Sequence, residues 1–135
     1  MTMMEHLKRD EGRRTRPYQD SLGHWTVGYG HNLESGDLSE DAITTILRDD
    51  LLHAETQCLQ LPWWRHLSGP RKGVLVNMAF NMGYGGLLTF RKFLQACAEG
   101  CWDVAATEML DSTWAKQVGA RATRLARQMR DDVWV

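Results

Sequence analysis

Glu11 and Asp20 stand out first, because a run of patterned residues surrounds them: Glu11-Gly12, then Tyr18-Gln-Asp20, then Gly23, Thr26, Gly28, Gly30 and His31. Two carboxylates in unequal surroundings can divide the work of cleaving a glycosidic bond. One gives a proton to the leaving oxygen, and the other activates a water on the opposite face of the sugar. A hydroxyl such as that of Thr26, with one donor and two lone pairs, can hold that water. Residue type alone decides little, since a Glu before Gly is most often a solvated helix end.

For the two acids to cooperate the chain must fold back, because fully extended it would carry Asp20 up to about 30 Å from Glu11. Asp20-Ser-Leu-Gly23 has the composition of a turn, with Asp favoured at its first position and Gly able to take positive φ near its end. If Ser21 to Gly23 form a three-residue loop, Asp20 faces His24 and Tyr18 faces Thr26, and all four side chains share one face of an antiparallel ribbon. Residues 3 to 11 read as a short helix on Met3, Met4, Leu7 and Glu11, ended by Gly12. Glu11 is expected there among bulky side chains, held partly protonated by desolvation, while exposed Asp20 stays ionised.

After Gly36 the pattern turns helical and stays so. Asp37-Leu-Ser-Glu40 resembles a capping box ahead of an apolar stripe of Ala42, Ile43, Ile46, Leu47 and Leu51 that runs to about Cys58, and Pro62-Trp63-Trp64 breaks it. Pro70 sits where a core helix begins, with Leu75, Met78, Ala79 and Met82 as its buried stripe, Gly83 as its stop and a turn at Gly85-Gly86. Further helices are expected at about Thr89 to Ala98, Trp102 to Leu110, Thr113 to Val118 and Ala120 to Arg130. The fold class is therefore α+β and predominantly helical. A small β-rich lobe at about 13–34 is expected beside a helical lobe of about 37–135 plus helix 3–11, with a cleft between the lobes.

A chain of 135 residues with 43% hydrophobic and 24% charged content has the composition of one ordinary globular domain rather than of disorder. No stretch has the length of a signal-peptide core or a membrane span, so residence in a cytosol is expected. Cys58, Cys97 and Cys101 are too few for a disulfide scaffold and read as reduced thiols in or near the core. No second Cys or His pair accompanies Cys97 and Cys101 at ligand spacing, so neither a metal nor another cofactor is expected. Trp63, Trp64, Trp102 and Trp114 are assigned mainly to the core. Charge is uneven: Lys116, Arg121, Arg124, Arg127 and Arg130 lie in an acid-free stretch, while Glu34 to Glu55 holds seven acids and only Arg48. Such a basic end is either a solvated helix face or a surface for an anionic polymer.

The run Asp10-Glu11-Gly12, Tyr18-Gln-Asp20, Gly23, Thr26-Val-Gly-Tyr-Gly30-His31 resembles, in residue types and spacing, the catalytic segment of the phage-type lysozymes, the endolysins of glycoside hydrolase family 24. The resemblance continues in Asn77-Met-Ala-Phe80-Asn-Met-Gly83, in Trp102-Asp-Val-Ala-Ala, and in Ser112-Thr-Trp114 with Gln117 and Arg121, so it spans nearly the whole chain. It implies Glu11 as proton donor, Asp20 as the second catalytic carboxylate and Thr26 as the residue that positions water. The reaction implied is hydrolysis of β-1,4 bonds between N-acetylmuramic acid and N-acetylglucosamine in bacterial peptidoglycan, with inversion. It further implies that Tyr18 and Phe80 line the sugar site, that His31 pairs with Asp49, and that Arg121 lies near Glu11. An arginine there would favour the charged acid and oppose desolvation. A monomer awaiting a holin in the host cytoplasm is implied as well. Asn32 stands where one well-known member of the family has Leu, and Phe93 and Glu108 fall where that member has polar neutral cleft residues, so distal sugar contacts are expected to differ. The chain is also shorter after Glu34.

Other functions make distinct demands. A lytic transglycosylase needs the acid but no water-activating base, so Asp20 with Thr26 argues against it. A wall-binding protein with a dead site would bind without clearing a wall suspension. A nucleic-acid binder is disfavoured by a net charge of −1.

Overall fold

The ribbon forms where the alternation predicts it. In the computed structural model, which describes residues 1–135, strands β1 (Arg14–Gln19), β2 (Trp25–Gly28) and β3 (His31–Asn32) make an antiparallel sheet in that order. Tyr18 pairs with Thr26 and Gln19 with Trp25, the register that a Ser21–Gly23 loop requires. Arg14 pairs with Gly28, so four steps along β1 match two along β2. This irregular stretch contains Pro17, which has no N–H to lose from a ladder. β3 adds a third strand that is too short to signal itself by alternation.

Helix α1 (Met3–Glu11) starts on a reciprocal cap: Thr2 Oγ1 accepts from Glu5 N at 3.2 Å and Glu5 Oε2 accepts from Thr2 N at 2.6 Å. Gly12, at φ 74°, ends it. Ribbon and α1 belong to the first of two compact units, Met1–Ile43; the second is Thr44–Val135.

Helix α2 (Glu40–Cys58) starts in the first unit and continues in the second. Its first turn is capped by Ser39, whose Oγ accepts from Ala42 N at 3.1 Å, so the cap lies two residues beyond the expected Asp37. The expected stripe is only partly covered. Ile43, Ile46, Leu47 and Leu51 are each at least 41% exposed, and the buried residues of α2 are Ala54 and Cys58 near its end.

The second unit's core is built on α3 (Gly69–Met82), capped by Ser68 with Pro70 in its first turn, and burying Val74, Leu75, Val76, Met78 and Ala79. Where a plain turn was expected at Gly85-Gly86 the backbone makes α4 (Tyr84–Leu88), so α5 (Arg91–Glu99) begins after Thr89. Then come α6 (Trp102–Leu110), α7 (Thr113–Val118) and α8 (Ala120–Asp131). Trp64 and Trp114 are buried, with Trp63 and Trp102 packed against the same core. Phe93 is 1% exposed and edge-on to Phe90 at 6.3 Å, which makes it a core residue rather than a sugar contact. Cys58 and Cys97 are buried as expected, whereas Cys101 is exposed.

One seam joins the start of α3 to the end of α8. Arg71 donates through Nε to Met129 O at 2.8 Å and through Nη2 to Arg130 O at 3.2 Å, supplying donors to a helix end that lacks them. Ser68 Oγ donates to Asp132, and Gln128 Nε2 donates to Pro70 O at 2.8 Å. No helix is long and apolar enough to cross a membrane.

Candidate active site

Asp20 is fixed by the turn it opens. Its backbone N–H donates to His24 O at 2.9 Å, its carbonyl accepts from Gly23 N at 3.0 Å, and Gly23 takes φ 83°, a left-handed value that a side chain would resist. The carboxylate Oδ1 accepts from Leu22 N at 2.9 Å and from His24 N at 2.8 Å; Oδ2 accepts neither. The His24 N–H, as the main cause, holds the carboxyl below its usual pKa of 3.8 against an opposing desolvation. The ionised form expected for Asp20 is therefore the one its hydrogen bonds favour.

Thr26 stands on β2 opposite Tyr18 and is 3% exposed. Its hydroxyl donates to His24 O at 2.9 Å. Of the hydroxyl's one donor and two lone pairs, the donor is committed, so toward a water it is an acceptor. Tyr18 is half-buried, with the Arg14 guanidinium 4.6 Å from its ring centroid.

Glu11 ends α1 and is exposed; bulky side chains do not enclose it as expected. Its carboxylate lies over Gly30, where a Cβ added to that glycine would sit 2.9 Å from Glu11 Oε2. Gly30 also has φ 75°, so both backbone conformation and space favour glycine there. The sequence presented Gly30 as ribbon punctuation and gave no sign that it seats the acid.

His31 opens β3 and is exposed. Asp49 on α2, Phe80 on α3 and Arg121 on α8 belong to the second unit. Arg121 is held by Asn77, whose Oδ1 accepts from its Nε at 2.9 Å and its Nη2 at 2.7 Å. Phe80 is 42% exposed and, with Asn77 and Arg121, lines a cavity of about 850 Å³ whose other walls include Leu47, Leu51, Val76 and Trp134. Asn77 lay within the quoted motif but was given no role; the i, i+3 spacing to Phe80, which puts both on one helix face, was the available signal. The basic stretch is partly neutralised: Asp131, one residue beyond it, lies 2.9 Å from Arg130 and 3.8 Å from Arg127.

Comparison with known proteins identifies the family. The family model for phage lysozyme matches residues 8–131. The chain is 30% identical to the pre-baseplate central spike protein Gp5 of Enterobacteria phage T4, over 93% of this chain but only 27% of that longer protein. It is 28% identical to probable T4-type lysozyme 1 of Dictyostelium discoideum, over 92% of this chain and 91% of that one. It is also 30% identical to an endolysin of Acyrthosiphon pisum secondary endosymbiont phage 1, over 85% and 80% of the two chains. With nearly its whole length matched and two carboxylates on the α1 end and the ribbon turn, this chain belongs to the phage lysozyme family and is a lysozyme-type hydrolase.

Proposed function

We propose that the protein is a muramidase that hydrolyses the β-1,4 bond between N-acetylmuramic acid and N-acetylglucosamine in bacterial peptidoglycan. Glu11 protonates the glycosidic oxygen as the bond to the anomeric carbon breaks. Asp20 removes a proton from the water that attacks that carbon, and Thr26 orients the water by accepting one of its hydrogens. A water activated opposite the leaving group inverts the anomeric configuration. The observation that carries this reading is the Asp20 carboxylate: two backbone N–H groups hold one oxygen in place and favour the ionised form, the state a general base needs. In the same reading Tyr18 and Phe80 contact the sugar chain, and His31, Asp49 and Arg121 support the site. Residues 1–135 form one lysozyme domain that works as a monomer. Like the endolysin among its relatives, the protein would act on the cell wall, with a holin opening its route from the host cytoplasm.

The test is loss of turbidity of purified peptidoglycan with wild type, Glu11→Gln and Asp20→Ala, together with mass spectrometry of the products. Wild type should clear the suspension and release reducing ends, and both variants should fold normally and fail to clear it. Full activity in Glu11→Gln, or 1,6-anhydro-muramic ends among the wild-type products, would refute the mechanism.

A further inference from the structure

We propose that Glu34 is a positioning residue for Asp20 and Thr26, acting through the backbone of His24 and Trp25; this rests on the catalytic reading above. His24 is the one residue that bonds both the Asp20 carboxylate and the Thr26 hydroxyl. Its N–H donates to Asp20 Oδ1, and its carbonyl accepts both from Asp20 N and from Thr26 Oγ1, all within 2.9 Å. Whatever fixes the His24 peptide therefore fixes the base and the water-orienting hydroxyl together.

The β-ladder alone does not fix it. Pairing between β1 and β2 is recorded at Gln19–Trp25, and beyond that pair the hairpin is closed by the Asp20–His24 contacts themselves. Glu34 supplies a hold from outside the hairpin. Its Oε2 accepts from Trp25 N at 2.9 Å and lies 3.0 Å from His24 Nδ1. An ionised carboxylate can only accept, so the His24 proton in this contact sits on Nδ1. One oxygen thus ties the backbone of Trp25 and the ring of His24, pinning the peptide on both sides of the carbonyl that Thr26 and Asp20 share.

Glu34 is itself held. Its N–H donates to Asn32 Oδ1 at 2.8 Å, Asn32 pairs with Thr26 across β2 and β3, and Leu33 N donates to Trp25 O at 2.8 Å. This gives the departure at Asn32 a role, because its amide oxygen anchors the residue that carries the clamp. Both side chains of the Glu34–His24 contact are about half exposed, 47% and 48%, so solvent screens the pair and it adds little to global stability. Its effect is on geometry.

The experiment compares wild type, Glu34→Ala and Glu34→Gln by initial rate against concentration of soluble peptidoglycan fragments, with thermal melts and amide NMR shifts. Glutamine keeps a carbonyl oxygen able to accept both bonds, whereas alanine keeps none. Glu34→Ala should lower kcat about tenfold with KM within about twofold, as expected when a reacting group is misplaced while substrate binding persists. Its melting temperature should change little, and the His24 and Leu22 amide resonances should move upfield as their bonds to Asp20 loosen. Glu34→Gln should recover kcat to within about threefold and restore the amide shifts. Wild-type kcat in Glu34→Ala, a loss confined to KM, or a kcat loss that Glu34→Gln shares in full overturns the proposal. Glu11→Gln, run alongside, separates the failures: if it keeps full activity the catalytic reading falls, whereas an inactive Glu11→Gln with a fully active Glu34→Ala removes only the role of Glu34.

Discussion

Replacing Gly30 by alanine isolates how much of the activity depends on where the Glu11 carboxylate rests. The new Cβ would lie 2.9 Å from Oε2 and 3.4 Å from Cδ, and ordinary contact begins at 3.4 Å, so the carboxylate oxygen must retreat by about 0.5 Å or swing to another rotamer. A 1 Å misplacement of a reacting group can cost on the order of 100-fold, so half of that displacement predicts about a tenfold fall in rate. The left-handed backbone adds a separate cost of about 1–2 kcal/mol to stability. Gly36→Ala separates the two effects, because Gly36 has the same φ of 75° with nothing within 4 Å of its added Cβ. Both variants should lose similar stability in urea unfolding, and only Gly30→Ala should lose peptidoglycan clearance per folded molecule. Equal clearance by the two would refute the link between Gly30 and the acid.

Four further outcomes follow from the structure. Because Asp20 is held below its usual 3.8, chiefly by the His24 N–H, the acid limb of the rate profile that reports the base should lie below pH 3.8; a limb at pH 5 or above assigned to Asp20 by its loss in Asp20→Asn would contradict this. Glu5 and Asp131 are lowered as well, from 4.5 and 3.8, by their bonds to Thr2 and Arg130. With all three folded values below the unfolded ones, their stabilisation is complete above about pH 4.5 and is lost as pH falls through the lowered values, which thermal melts across pH 2–6 will reveal. A disulfide reagent at pH 8 should modify Cys101 quickly and leave Cys58 and Cys97 until unfolding, since burial pushes those thiols up to about 11 and about 12; three rapid equivalents would contradict the burial. Phe93→Ala should cost about 3–5 kcal/mol in urea unfolding, and a loss under 1 kcal/mol would return Phe93 to the surface.

The sequence revealed those parts of the molecule whose signals are local. The Asp20 turn and the Tyr18–Thr26 pairing follow from turn chemistry and an alternation of two, and the Pro70 start and Gly83 stop of α3 follow from the positional preferences of proline and glycine. It was silent where burial or distance decided. Phe93 matched the position of a cleft residue, yet an aromatic side chain gains more by entering the core beside Phe90. Two glycines at 85 and 86 argue for a turn, and the helical backbone of α4 between Gly83 and Thr89 overrides that local preference. Glu34 reaches back ten residues to His24 from the turn after β3, and no periodicity connects them. The apolar residues of α2 have a helical spacing, but spacing alone cannot say how much of that face the fold covers.

The seam at Arg71 bears on the order of folding. Its guanidinium binds carbonyls 58 and 59 residues further along, and Ser68 reaches 64 residues ahead to Asp132. A ribosome must therefore add the whole of α4 to α8 before the first turn of α3 finds these partners. Until then Arg71 keeps its water, and the long loop has still to be closed at an entropic cost that grows only slowly with its length. Closure late in synthesis makes the helical unit's cooperativity a property of the complete helix set, and a nascent chain lacking α8 should be open to proteases.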